Sequence, residues 1–268
     1  MKEVRWGIIA AGSIANAFAH SIQYSKNSKL CCVFGRTEEK VNSFAKKHNC
    51  LPYFDLESFL SSDIDAVYIA TPHDSHFFYS MEAIKRKLHV LCEKPLSVNS
   101  TEAMILTNEA KKNDIFLMEA FMYRTHPQTL ETLKLCKKYF KDIDVKIFSS
   151  FGFDAPVDKS HRLRNLNLAG GAILDVGCYP LSMTRLIAGS LNDEKYLDPI
   201  GIEVKGSLDA TGVDNKSSAN LIFSENISAY IETAINEKLK NNLIIKSDKV
   251  EIRVPEPWHC GQFQEGNY

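Results

Sequence analysis

The chain has 268 residues, 44% of them hydrophobic and 24% charged, with 32 basic against 33 acidic side chains for a net charge of −1. That composition excludes a disordered chain, and the near-neutral charge gives no electrostatic footprint for nucleic acid or an anionic membrane. No apolar run approaches the roughly 18–20 residues of a membrane span, and the N-terminus enters Val4-Arg5-Trp6-Gly7 without a signal-peptide layout. The seven cysteines form no CxxC pair. Reduced thiols in a cytoplasmic protein are expected, with Cys31 and Cys32 inside a strand.

In the first half, strand and helix signals alternate. Strands are expected at 4–10, 30–34, 66–70, 89–92 and 115–119, and helices at 13–24, 38–48, 56–60, 76–86 and 100–113. Short apolar runs between amphipathic helices predict a doubly wound parallel sheet of the Rossmann kind, with helices on both faces. The pattern then changes. A strand at 145–153 and a helix over 172–188 precede strand-like segments at 200–210, 217–224, 227–235, 242–247 and 249–254, with turns at Asp214-Asn215 and Ser247-Asp248. Successive strands without helices predict an α+β domain on an open, mostly antiparallel sheet. The expected division is a nucleotide-binding domain over 1–122 and a substrate and oligomerisation domain over 123–268.

The first strand-to-helix turn reads Ala10-Ala11-Gly12-Ser13-Ile14-Ala15. A dinucleotide site wants glycines here, so that backbone N–H groups at a helix N-terminus reach the pyrophosphate. Ala10 replaces the first glycine, while Gly12 and Ala15 fit the rest of the fingerprint. The second strand ends in Gly35-Arg36-Thr37. An acidic residue there selects NAD. A small residue followed by Arg leaves room for a 2′-phosphate and supplies a bidentate donor, so Arg36, Thr37 and Lys40 favour NADP(H) over NAD(H). The competing role for Arg36 is a solvated helix start.

Two further loops fall at the carboxyl edge of the sheet, where ligands bind. The first, Thr71-Pro72-His73-Asp74-Ser75-His76, offers its histidines to cofactor or substrate, or else to helix capping; no ligand set around them completes a metal shell. The second carries Glu93-Lys94-Pro95, where Lys94 is a cation able to polarise a substrate oxygen, or a surface lysine, next to a proline that can take the cis form.

These stretches, with Met118-Glu119-Ala120-Phe121-Met122-Tyr123-Arg124 and Gly170-Gly171-Ala172-Ile173-Leu174-Asp175-Val176-Gly177-Cys178-Tyr179-Pro180, resemble the glucose–fructose oxidoreductase/inositol dehydrogenase/MocA family in order and spacing from residue 4 to about 260. The resemblance implies a Rossmann domain and an open-sheet domain with the active site between them. It implies hydride transfer between NAD(P) and a CH–OH carbon of a sugar, polyol or diol. Lys94 matches the family's lysine at the reacting oxygen, Asp175 the carboxylate that orients substrate hydroxyls, and Tyr179 the acid/base slot. Tyrosine at that slot resembles the dimeric dihydrodiol dehydrogenases, also described as NADP-dependent D-xylose dehydrogenases, and the glucose–fructose oxidoreductases. Family members often dimerise or tetramerise through the open face of the antiparallel sheet, so the resemblance implies a homodimer through the C-terminal sheet.

Residue chemistry agrees with these roles. Asp175 and Tyr179 stand four apart, on one face of a helix. A phenol's pKa near 10 is lowered by a neighbouring lysine cation, which suits it to take a proton. Without the family context, a helix-face hydrogen bond with no catalysis is the favoured account of the pair. Arg124 and Arg162 are candidate substrate contacts or solvated loop cations. Lys137, Lys138 and Lys141 read as a solvated helix face, and Trp258 as a packing anchor. Relatives usually continue beyond the point where this chain ends at Gly266-Asn267-Tyr268. That leaves an inactive truncated relative as one alternative to an active enzyme, and the resemblance, since the family includes a non-catalytic member, leaves a non-catalytic NAD(P)-binding regulator as another.

Overall fold

A computed structural model describes residues 3–260; Gly266, Asn267 and Tyr268, on which the expectation of a short C-terminus rests, lie outside the described residues. The chain divides into two compact units, the first ending at Ala120 and the second beginning at Phe121.

The first unit runs β1 (Val4–Ile9), α1 (Ser13–Ser21), β2 (Ser28–Phe34), α2 (Glu38–His48), β3 (Leu51–Tyr53), α3 (Leu56–Leu60), β4 (Ala66–Ile69), α4 (His76–Lys85), β5 (His89–Cys92), α5 (Ser100–Lys112) and β6 (Leu117–Glu119). Its six strands are ordered β3-β2-β1-β4-β5-β6, and every pair is parallel. This is the doubly wound arrangement that the alternating pattern predicts. Period-2 alternation sorts the strand side chains onto two faces. Ile9, Phe34, Val67, Ile69, Val90 and Cys92 enter one core, and Ile8, Val33 and Tyr68 the other. Helix ends follow the chemistry of their residues. α2 opens on Glu38 and Glu39, closes on Lys46, Lys47 and His48, and stops at Asn49 in the left-handed region, which suits the helix dipole and a C-terminal cap. Asn99 caps α5 by accepting from the Glu102 N–H at 2.9 Å.

β3 has no counterpart in the sequence reading. Three residues with Pro52 at the centre give almost no periodicity, and a proline is tolerated because the strand lies at the sheet edge.

The second unit comprises α6 (Pro127–Tyr139), β7 (Val145–Gly152), α7 (Cys178–Leu191), β8 (Gly201–Leu208), β9 (Asp214–Ile222), β10 (Ile227–Ala234), β11 (Leu243–Lys246) and β12 (Glu251–Val254). The sheet order is β12-β11-β7-β10-β9-β8. Only β7 and β10 pair in parallel; the other four pairs are antiparallel. Its core gathers Val145, Ile147, Leu221, Ala229 and Ile245 from the sheet with Val176, Met183 and Ile187 from the α7 side.

Two expectations need correction here. Asp214 and Asn215 are the first residues of β9, not a turn. The turn lies earlier, where Asp209 accepts from the Thr211 N–H at 2.5 Å and Gly212 takes a positive φ of 89°. The expected 172–188 helix is interrupted: Ile173–Gly177 form a five-residue π segment before α7, so Asp175 stands on a widened turn.

Candidate active site

The first unit places its candidate residues at the carboxyl ends of β2, β1, β4 and β5, four strands adjacent in the sheet. After β1, the Ala10 N–H donates to Phe34 O at 2.8 Å, and Ala10 adopts φ 87°, the left-handed side of the map that favours glycine. Gly12 is the extended N-cap of α1, with no side chain capping the helix. The first-turn amides, including those of Ser13 and Ile14, therefore have no capping side-chain acceptor, the arrangement that suits an anion at a helix N-terminus. A Cβ added at Gly12 meets nothing within 4 Å. Protein packing does not require that glycine, whereas a close phosphate does. Ala15 is fully buried against the sheet, while Ile14 is exposed.

At the end of β2, Arg36 and Thr37 are exposed. Among the described residues, no carboxylate lies within ion-pair distance of Arg36. Gly35 is needed sterically, because a Cβ there lies 2.9 Å from a Val41 methyl.

After β4, the Thr71 hydroxyl oxygen is buried without a hydrogen-bond partner in the protein. A buried orphan hydroxyl is costly unless something else meets it. With the uncapped α1 terminus and the open space at Gly12, it fits a dinucleotide laid along this edge. His73 is nearly buried, with its ring 5.8 Å from that of His76. His76 is 0% exposed. Its Nδ1 lies 2.7 Å from Pro95 O and its Nε2 2.9 Å from Thr71 O, which leaves no ring nitrogen to offer a ligand. Burial pulls its pKa below the ordinary histidine value.

After β5, Glu93 and Lys94 precede a cis Lys94–Pro95 peptide. The Tyr68 hydroxyl donates to Glu93 Oε1 at 2.5 Å, Glu93 Oε2 accepts from the Lys94 N–H at 3.3 Å, and Glu119 Oε1 accepts from the Leu96 N–H at 2.8 Å.

In the second unit, Asp175 is 4% exposed and accepts from Arg162 Nη1 at 2.8 Å. Burial without a partner costs a carboxylate heavily, and Arg162 supplies that partner. Arg124 is held by Ser182, with Nη2 donating to Oγ at 2.6 Å and to the main-chain oxygen at 3.3 Å. Tyr179 sits among aromatic rings: Phe121 at 5.4 Å, Tyr123 at 5.9 Å, Phe151 at 5.2 Å and Trp258 at 5.8 Å. Burial pushes the neighbouring Tyr123 hydroxyl up to about 12. Trp258 is the packing anchor expected of it, buried and donating from Nε1 to Ser150 O at 2.9 Å.

Tyr68, Ser182 and Phe151 escaped the sequence reading. Tyr68 carried a faint signal, as the one polar-tipped side chain in the run Ala66-Val67-Tyr68-Ile69-Ala70. Among the described residues, no group of three or more His, Cys, Asp or Glu side chains is arranged to hold a metal ion, and no helix is long and apolar enough to cross a membrane.

Residues 4–121 match the family model described as "Oxidoreductase family, NAD-binding Rossmann fold". The trans-1,2-dihydrobenzene-1,2-diol dehydrogenase of Xenopus tropicalis is 32% identical over 256 residues, which span 94% of this chain and 75% of that protein. D-xylose 1-dehydrogenase (NADP(+)) 2 of Haloferax volcanii is 30% identical over 86% of this chain and 69% of its own length. Among solved structures, a 3-ketoreductase from Actinomadura kijaniata in complex with NADP shares the fold at TM-score 0.81 and 21% identity, covering 96% of this chain and 77% of that one. A protein of gentamicin A biosynthesis in complex with NAD does so at TM-score 0.84 and 17% identity, over 95% and 72%. At this identity and coverage, the chain is a member of the GFO/IDH/MocA oxidoreductase family, and with it an enzyme of the NAD(P)-dependent dehydrogenase and reductase class.

Proposed function

We propose that this enzyme prefers NADP(H) and oxidises or reduces a CH–OH carbon of a sugar, polyol or trans-dihydrodiol. The observation that carries the reading is the set of loops at adjacent strand ends: an uncapped helix N-terminus at Gly12-Ser13, an orphan Thr71 hydroxyl and Lys94. When bound, the nicotinamide cofactor supplies hydride transfer at C4. The α1 amides of Ser13 and Ile14, beside Ala10 and Gly12, hold its pyrophosphate, and Arg36 and Thr37 hold the 2′-phosphate, with Lys40 in support. Thr71, Pro72, His73 and Glu93 line the nicotinamide side.

Lys94 binds the reacting oxygen and stabilises negative charge there. Tyr179 exchanges that oxygen's proton, helped by the lysine's charge. Asp175, paired with Arg162, accepts from a neighbouring substrate hydroxyl, and the two arginines, Arg124 and Arg162, bound the substrate side. The names of the relatives support the substrate class, since they include a dihydrodiol dehydrogenase and an NADP(+) xylose dehydrogenase.

The decisive test is turnover of a diol and sugar panel. Lys94→Met and Tyr179→Phe are expected to lower kcat by at least about 10²-fold, within the usual range for acid–base groups, while NADPH binding persists. Wild-type turnover in both contradicts the mechanism.

We also propose a cytoplasmic homodimer through the C-terminal sheet. Among the described residues, none of the seven cysteines forms a disulfide, which suits a reducing compartment. The outermost strand, β8, exposes Ile202 at 63%, Val204 at 60% and Leu208 at 69%, more apolar edge than a lone sheet ordinarily shows to water.

A further inference from the structure

The loop carrying Lys94 is fixed by side chains from outside it. Tyr68 of β4 holds residue 93 through the Glu93 carboxylate, His76 of α4 meets the carbonyl of Pro95, and Glu119 of β6 holds the N–H of Leu96. His76 differs from the other two because it also reaches a second loop, at Thr71 O. Both of its partners are backbone carbonyls, which only accept. Burial favours the neutral imidazole, which has one N–H to give, so one of the two contacts is a donated hydrogen bond and the other is close packing, whereas the imidazolium would donate to both. The groups around the ring are Glu93, whose charge favours the cation, Lys94, which opposes it, and the His73 ring at 5.8 Å. Fully buried and 19 residues from Pro95 in sequence, the ring spans two ligand-facing loops that no backbone ladder joins.

We propose that His76 is a positioning residue which ties the Thr71–Pro72 loop to the Lys94 loop and so sets the separation between the nicotinamide side of the site and the lysine at the reacting oxygen. The inference rests on the reading of Lys94 and Thr71 given above. It makes His76 a residue that acts through main chain, where the sequence alone suggested a cofactor contact. Hydride transfer needs reacting atoms held in near-attack geometry, and small misplacements are costly in rate without being costly in binding. Loss of the tie therefore acts on kcat more than on KM or cofactor affinity.

The test uses the 268-residue enzyme and three substitutions. His76→Phe removes both contacts. His76→Asn places an amide N–H near the Nδ1 position and keeps the Pro95 contact. His76→Gln places one near Nε2 and keeps the Thr71 contact. For His76→Phe, kcat is expected to fall about tenfold or more with KM and NADPH dissociation constant within about threefold of wild type. Amide exchange in the segment spanning residues 93–96, followed without substrate, is expected to accelerate about tenfold while β1 and β2 stay protected. His76→Asn is expected to recover slow exchange in that segment, and His76→Gln is not. If His76→Phe does not fold, the contrast between the Asn and Gln variants decides the matter. Equal exchange in those two, or a lowered melting temperature with kcat and exchange unchanged, overturns the inference. A parallel Lys94→Met variant separates the two layers: turnover lost there with His76→Phe unaffected refutes the tie alone, while turnover retained there refutes the site reading and the inference with it.

Discussion

Ala10 carries a backbone conformation that glycine would adopt without cost. Its φ of 87° sets its Cβ against neighbouring backbone, a penalty of about 1–2 kcal/mol for an ordinary residue in the left-handed region. Part of that is offset because glycine would loosen the unfolded chain. Ala10→Gly is therefore expected to stabilise the protein by about 1 kcal/mol or less, read as a rise in the urea midpoint at constant m-value; a lower midpoint contradicts the strain assigned here. The departure from the glycine fingerprint was visible in the sequence, but its conformational cost was not, since φ depends on the loop closing onto Phe34 O. The role of His76 was hidden for the same kind of reason. A histidine three residues past His73 reads as available, and only the fold brings Thr71 O and Pro95 O to its two nitrogens.

At the scale of elements, the parallel half of the fold is plain in the sequence because its strands are continuous apolar runs, such as Ala66–Ile69, buried throughout. The second unit is harder to read. Lys137 and Lys138 read as a helix face, but the sequence does not place the start of α6 because Pro127 opens it, and a proline after Thr125-His126 looks like a break although it is well suited to a first helical turn. The π segment before α7 has no sequence period of its own, yet it carries Asp175, in keeping with the tendency of such turns to occur at functional positions. The short segment after β12 matters for a different reason. Its Trp258 stacks on Phe151 at 5.7 Å and meets Tyr179 edge-on. Trp258→Ala is expected to cost about 3–5 kcal/mol, as large aromatic truncations in a core do, and to leave Ser150 O without its donor. Equilibrium unfolding measures this, and a loss under about 1 kcal/mol would show that the segment is peripheral.

At the scale of the whole molecule, the chain forms two units, each with its own core. The first supplies strand ends suited to a dinucleotide, and the second supplies a buried Asp175–Arg162 pair and a Tyr179 enclosed by aromatic rings. Family motifs were legible because they are contiguous in sequence. The supports behind them, Tyr68 under Glu93 and Ser182 under Arg124, were not, because each lies at least 25 residues from its partner.

The claim on which the rest depends is that the first unit binds NADP(H) through Gly12, Thr71 and Arg36. Titrating the purified 268-residue protein with NADPH and with NADH, following nucleotide fluorescence, tests it most directly. Saturable NADPH binding at least about tenfold tighter than NADH, a difference of about 1.4 kcal/mol, is the predicted result, with the preference lost in Arg36→Ala. Equal affinities would contradict the assignment of Arg36, and failure to bind either nucleotide would contradict the account as a whole.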